Sequence, residues 1–406
     1  MRDFPVERLR RYPDIEADNL NAWDATDRYL LDETRVTRAA LGPHEIVVVG
    51  DRYGALSLEA VHDGARGVRV HQDGLSGERA LLLNAPRVGV DPTQVTQLPL
   101  GDKQAGKKLF DGAKLVLLQL PRSLDALDEI SQNIARFAPE ARLYAGGRVK
   151  HMTLSMNEVL RRYFSEVVPG RARQKSRLLV ASGSAGGEAD LTYPHEARDA
   201  ELGIEVFAHG AAFGGTRVDP GTRFLLKAMD GARSAARGLG GVREAAPTRN
   251  GVGTAGETLG SGPRIIDLGC GTGVIASVLA RRFPEAFVIA ADQSTAAVLS
   301  ARETVIRNRV AARVEVVRDD GLDSQPSGSA DLIALNPPFH TGATVHTGIA
   351  LKLFDHAARV LRSGGELWTV YNSHLRYRDA LERIVGPTGQ AARNERFTVT
   401  VSRREV

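Results

Sequence analysis

The chain has 406 residues, enough for two or three domains with sizeable buried cores. Hydrophobic residues make up 42%, charged residues 25%, and the net charge is only +4, the profile of an ordinary water-soluble protein. The longest apolar runs, such as "LVLLQL" at 115–120, are too short to cross a bilayer, and the charged opening "MRDFPVERLRRYP" does not read as a secretion signal. A single cysteine, Cys270, excludes an internal disulfide and a cysteine-built metal site. A reducing cytoplasm fits that usage, and neither a membrane nor a metal partner is expected.

From the N-terminus, "AWDATDRYLL" (22–31) reads as a helix with Trp23 and Tyr29 turned to a core. "IVVVGDRYGAL" (46–56) is a strand, a glycine turn and a helix start, and "VLLQLPR" (116–122) ends a later strand. In "SMNEVLRRYF" (155–164), Met156, Val159, Leu160, Tyr163 and Phe164 share one helical face, and Ser155 with Glu158 has capping-box spacing. Residues 141–180 hold nine Lys/Arg against two Glu, a local excess larger than the charge of the whole chain. Arg148, Lys150, Arg161, Arg162, Arg171, Arg173 and Lys175 are therefore a candidate cluster for binding the phosphate backbone of a nucleic acid, with a plain solvated surface as the alternative.

Residues 231–262 contain nine glycines and read as a flexible insert. Beyond them come "RIIDLGCGTGV", a helix, "AFVIAADQS", a helix, "VEVVRDDGL", then "ADLIALNPPF", a helix and "GGELWTVYN". This alternation predicts a doubly wound α/β sheet, whose ligands bind where strands end. The first half repeats the order. At an offset of 219 residues Gly50 falls under Gly269, Gly54 under Gly273 and Asp73 under Asp292, and at 217 "VLLQLPR" falls under "IALNPPF". Two tandem Rossmann-like domains are expected, 1–183 and 184–406, with the core of the second at about 221–406. In the first copy Val48 replaces Asp267, Arg52 replaces Gly271, and Gln119-Leu120 replaces Asn336-Pro337. That copy is expected to keep the fold and lose the pocket.

In "DLGCGTG", Gly269, Gly271 and Gly273 lie between a strand and a helix, where bare backbone and a helix N-terminus can approach a ligand. The spacing is not the dinucleotide Gly-x-Gly-x-x-Gly. Asp267 before the glycines, Asp292 and Gln293 at the next strand end, and Asp320 at the third suit S-adenosylmethionine. Asp292 would take the ribose hydroxyls and Asp320 the adenine amine. Turn glycines and helix-capping aspartates would explain one of these positions, not the set. Cys270 reads as a small turn residue rather than a nucleophile.

"NPPFHTG" (336–342) closes the fourth strand with two prolines, which cannot donate to a sheet. Asn336 Oδ1 and the Pro337 carbonyl can each accept one N–H of an aromatic amine, turning its lone pair toward the sulfonium methyl. Phe339 would stack on the ring, with Pro338 and His340 bordering the substrate. The motif points to amine methylation and leaves adenine, cytosine, guanine and a glutamine amide open.

Together, "DLGCGTGV", "AADQS", "RDDGL", "NPPFHTG" and "VYNSHLRY" resemble the bacterial ribosomal RNA guanine-N2 methyltransferases that carry two tandem methyltransferase-like domains. "AWDATDRYLL", "DRYGALS", "LQLPRSL" and "GGRVKHM" are similar to the large-subunit type, methyltransferase G, more than to the small-subunit type, methyltransferase C. The resemblance spans nearly the whole chain except the glycine-rich insert. It implies a first domain that assists RNA binding and a second that uses S-adenosylmethionine to methylate N2 of a guanine. The implied substrate is 23S ribosomal RNA, free or in a ribosomal subunit precursor. A target reached at a strand exit is expected to be unpaired or flipped out of its stack. The alternatives are a 16S guanine, adenine N6 in DNA, a protein glutamine, and a non-catalytic RNA-binding ribosome-assembly factor. No dimer stripe stands out, so a monomer is expected.

Overall fold

The computed structural model describes residues 4–184, 191–238, 262–338 and 343–405. The chain divides into two units. One comprises Met1–Glu196, Phe207–Gly215 and Gln293–Ser300; the other comprises Ala197–Val206, Thr216–Asp292 and Ala301–Val406.

The first unit opens with α1 (Ala25–Ala39), β1 (Ile46–Val49), α2 (Ala55–His62), β2 (Val68–His71), α3 (Leu75–Arg87) and β3 (Val95–Gln97). It continues with α4 (Lys103–Phe110), β4 (Leu115–Gln119), α5 (Leu124–Phe137), β5 (Arg142–Arg148), α6 (Leu154–Arg161), β6 (Phe164–Pro169) and β7 (Ser176–Ser184). A two-stranded sheet of β8 (His195–Asp199) and β9 (Ile204–Ala208) follows. Next come α7 (Pro220–Gly238), β10 (Arg264–Leu268), α8 (Val274–Arg282), β11 (Phe287–Asp292), α9 (Thr295–Arg307) and β12 (Val314–Arg318). The chain ends with β13 (Ala330–Leu335), α10 (Ala343–Val360), β14 (Leu361–Asn372), α11 (Arg378–Ile384), β15 (Thr388–Arg393) and β16 (Phe397–Arg403).

The two seven-stranded sheets share one topology, β3-β2-β1-β4-β5-β7-β6 and β12-β11-β10-β13-β14-β16-β15. Five strands of each run parallel, and an antiparallel pair closes one edge. The strands are apolar on both faces because helices cover both. Ile46 and Val48 enter one hydrophobic cluster while Val47 and Val49 enter another, the two-residue period of a strand buried on each side. In the second sheet Ile265 packs on one face, and Ile266 and Leu268 on the other.

Strand register decides the internal repeat. Val49 pairs with Leu118 and Leu268 with Leu335, so Gln119 and Asn336 are the next residues out of equivalent strands, as their alignment predicts. Asp73 does not follow its alignment. Gly50 N–H donates to His71 O, and Gly269 N–H donates to Ala291 O, each at 2.8 Å. Gln72, not Asp73, therefore stands where Asp292 stands, and the repeat is offset by one residue at that strand. A further match emerges at the preceding helix. "DATDRYLL" from Asp24 and "DPGTRFLL" from Asp219 occupy equivalent helix starts, with Asp27 at the place of Thr222.

Four local expectations need correction. Trp23 precedes α1 and is only half-buried, whereas Tyr29 within the helix is buried. The capping box at Ser155 and Glu158 does not form, because α6 starts at Leu154 with Thr153 in the cap position and no side-chain cap bond. Phe164 is buried, but in β6 rather than on the helix. Residues 231–238 of the supposed insert continue α7, and 239–261 lie outside the described residues.

Candidate active site

The residues expected to hold the cofactor and substrate occur where four neighbouring parallel strands end. In the order β12-β11-β10-β13, those ends present Asp320, Asp292, the glycine turn 269–273 and Asn336. At about 4.8 Å per strand the row spans roughly 14 Å. It crosses the switch point between β10 and β13, where chain connections leave in opposite directions and open a crevice.

Gly269, Gly271 and Gly273 all have positive φ, at 73°, 51° and 76°, which side chains rarely adopt. Among the described residues a Cβ at Gly269 or Gly271 would meet nothing within 4 Å, which leaves the space above the turn open. At Gly273 it would lie 3.0 Å from Ala301, so this third glycine serves close packing of α8 on α9. Asp292 accepts the Gly271 N–H at 3.0 Å, which fixes both the turn and the carboxylate.

Asp267 lies wholly buried on β10. One oxygen accepts the Ala276 N–H at 2.9 Å, while Oδ1 has no hydrogen-bond partner among the described residues. Burial lifts this carboxyl to about 7, resisted by the Ala276 bond and reinforced by the charge of Asp292. A buried acceptor without a donor fits a ligand that brings cationic groups and N–H bonds. Asp320, also buried, accepts from Lys352 Nζ at 2.7 Å, so the carboxylate expected to meet an adenine amine already holds an ion pair. Gln293 Oε1 accepts from Ser76 Oγ at 2.8 Å within the first unit. Cys270 is buried and its thiol is pushed up, chiefly by burial, which fits a turn residue and not a thiolate.

Asn336 leaves β13 half-buried, followed by buried Pro337 and exposed Pro338. Its Nδ2 donates to Asp219 Oδ2 at 3.0 Å and to Thr222 Oγ1 at 3.1 Å, while Oδ1 is buried and has no partner among the described residues. Phe339 and His340 lie outside the described residues. Asp219 and Thr222 were not among the residues expected at the site. They stand more than a hundred positions before Asn336, and the one local sign was a helix start in "VDPGTRFLL".

The equivalent crevice of the first sheet is built differently. A Cβ on Gly50 would lie 3.2 Å from Gln119 O and 3.3 Å from Gln119 Cβ. Asp51 is turned inward and accepts from Gly54 N, Leu56 N, Ser57 N and Ser57 Oγ. Clefts of about 530 and 440 Å³ in this unit are lined by mixed charges of the N-terminal segment, including Glu7, Arg10 and Glu16, with no glycine turn.

Among the expected RNA contacts, Arg148 and Lys150 adjoin the turn 171–175 through the Val149 N–H bond to Lys175 O at 2.9 Å. Arg161 and Arg162 do not join them. They precede Phe164, which pairs with Ser184 at the other end of β7, about 26 Å along the strand from Ser176. Arg162 is paired with Asp128 and Arg173 with Asp32, while Lys150, Arg161, Arg171 and Lys175 are exposed. Among the described residues no helix is long and apolar enough to cross a membrane, and no group of three His, Cys, Asp or Glu is placed to hold a metal.

Sheet order, an open glycine turn and a row of strand-end carboxylates beside an Asn-Pro-Pro exit define an S-adenosylmethionine-dependent methyltransferase. Family models agree: the methyltransferase small domain matches residues 257–401, and the RLMG N-terminal domain matches 3–185. The chain is 33% identical to the ribosomal RNA large subunit methyltransferase G of Streptomyces coelicolor, over 98% of both chains. It is 32% identical to the Pseudomonas aeruginosa protein of that name, over 96% of both. The chain therefore belongs to the ribosomal RNA large subunit methyltransferase G family. A similar solved structure is a T. thermophilus 16S rRNA N2 methyltransferase in complex with AdoMet and guanosine. It is 21% identical, with TM-score 0.68 over 94% of this chain and 92% of that one.

Proposed function

We propose that this chain transfers a methyl group from S-adenosylmethionine to the exocyclic N2 amine of a guanine in large-subunit ribosomal RNA. The observation that carries this reading is the buried Asn336 Oδ1, unpartnered among the described residues, at the strand exit beside the open glycine turn. S-adenosylmethionine supplies an electrophilic methyl on a positively charged sulfur. Asp267, Asp292 and Asp320 supply acceptors suited to it, and Gly269 and Gly271 leave room for it.

An aromatic amine is a weak nucleophile because its lone pair is delocalised into the ring. Asn336 Oδ1 and the Pro337 carbonyl accept its two N–H bonds and turn the lone pair out of conjugation. The N–C bond then forms as the C–S bond breaks, in line, and the methylated nitrogen afterwards loses a proton to solvent. Such positioning is worth about 7–11 kcal/mol at most, without a strong base. Pro338 borders the base.

The first unit, up to about residue 183, assists RNA binding and holds no cofactor. Support comes from Gln119 closing over Gly50, from Gln72 and Val48 in place of carboxylates, and from the basic turns around Lys150 and Lys175. A single chain is the working unit, acting in the cytoplasm on free RNA or on a subunit precursor. Incubation with labelled S-adenosylmethionine and unmodified ribosomal RNAs, followed by nucleoside mass spectrometry, tests the reading. N2-methylguanosine in large-subunit RNA is expected. N6-methyladenosine, a small-subunit product or no product would overturn it.

A further inference from the structure

The carboxamide of Asn336 has two ends of nearly equal size, and only one suits an amine. Oδ1 accepts an N–H, whereas Nδ2 would confront it with another donor. Turning the amide over changes its shape hardly at all, so packing cannot select the productive end. Selection has to come from hydrogen bonds.

Those bonds are in place. Asp219 Oδ2 and Thr222 Oγ1 lie 3.0 and 3.1 Å from Nδ2. A carboxylate can only accept, so the nitrogen must face Asp219 and the oxygen must face away. Asp219 is itself held, since its Oδ2 also accepts the Thr222 N–H at 3.1 Å at the start of α7. Between them Gly221 leaves no room for a side chain: a Cβ there would lie 2.8 Å from Asp219 Oδ2 and 3.5 Å from Asn336 Oδ1. Oδ1, by contrast, is buried without a partner among the described residues, the acceptor that the other bonds leave unused.

A related tie persists in the first unit, where Gln119 Nε2 donates to Asp27 at the position equivalent to Thr222. There it fastens a strand end to a helix. Fastening and aiming are therefore separate functions of one contact, and a test has to tell them apart.

We propose that Asp219 and Thr222 are positioning residues which determine which end of the Asn336 amide meets the reacting group. The crevice thereby admits an exocyclic NH2 and rejects a carbonyl oxygen at the same place. This rests on the reading of Asn336 as the acceptor of the substrate amine.

The test uses the full-length protein, labelled S-adenosylmethionine and unmodified large-subunit RNA. Asp219→Asn is the informative variant, because asparagine caps a helix about as well as aspartate. It keeps the helix start yet can present either a donor or an acceptor to Asn336. Single-turnover methylation should fall about 10–100-fold, with unchanged melting temperature and unchanged binding of S-adenosylmethionine and RNA. Thr222→Val should lose rate in the same way, and Thr222→Ser should recover most of it. In an Asn336→Ala background Asp219→Asn should cost nothing further. A wild-type rate for Asp219→Asn, or the same fractional loss with and without Asn336, overturns the proposal. Should Asp219→Asn not fold, the Thr222→Val and Thr222→Ser pair decides, equal rates for the two overturning it. An active wild type whose Asn336→Ala variant is equally active overturns the reading of Asn336 itself, and the proposal with it.

Discussion

Gly50 and Gly269 occupy the same turn in two equivalent sheets, at φ of 81° and 73°, but the space beside them differs. Gln119 fills it at Gly50, with its carbonyl oxygen 3.2 Å from where a Cβ would sit, while a Cβ on Gly269 would meet none of the other described residues within 4 Å. One fold thus carries one closed and one open crevice.

Titration calorimetry should accordingly find one S-adenosylmethionine bound per chain. Gly271→Arg, which copies Arg52, should weaken that binding at least 100-fold. The left-handed backbone there should cost about 1–2 kcal/mol in folding stability. Arg52→Gly should create no second site, since Gln119 still lies against Gly50.

Asn336→Ala removes the acceptor and leaves the glycine turn intact. A methylation rate reduced about 100-fold or more is expected in single-turnover assays, with cofactor binding preserved. Loss of cofactor binding in parallel would place Asn336 in a different role.

Asp267 makes stability depend on pH. Its carboxyl rises from 3.8 to about 7 on folding, so the folded chain binds this proton more tightly than the unfolded chain. Stability is therefore undiminished below about pH 4, falls as pH rises toward 7, and carries the full burial cost above that. Asp267→Asn should raise stability at pH 8 by on the order of 4 kcal/mol and leave it unchanged near pH 4. The same variant should weaken S-adenosylmethionine binding. Melting curves across pH, with and without the cofactor, check both.

RNA affinity should depend on the two adjoining basic turns. Replacing Lys150, Arg171 and Lys175 with alanine should reduce the slope of log affinity against log salt by about 2. Arg162→Ala and Arg173→Ala should change it less, because those guanidinium groups already pair with Asp128 and Asp32.

Much of this protein is written locally. Apolar runs ending in Gly or Asp specify buried parallel strands, and prolines after Asn336 must end a strand, because burial and backbone donors follow from adjacent residues. That makes the duplicated fold, the glycine turn and the strand-end carboxylates legible in the letters alone. Letter matching misplaced Asp73, because the Gly50–His71 hydrogen bond and not the spelling defines equivalent positions. The repeat of "DATDRYLL" in "DPGTRFLL" was available in the letters and would have drawn attention to Thr222.

Other features belong to tertiary structure alone. Which basic residues meet depends on β7, an extended strand that separates Arg162 from Lys175 although little chain lies between them. The direction of the Asn336 amide depends on Asp219 and Thr222, brought to it by the fold across more than a hundred residues. Sequence determined which chemical groups stand at the strand ends. The three-dimensional packing decided which of their atoms are already bonded and which one remains to accept a hydrogen, because a hydrogen bond depends on distance and direction in space.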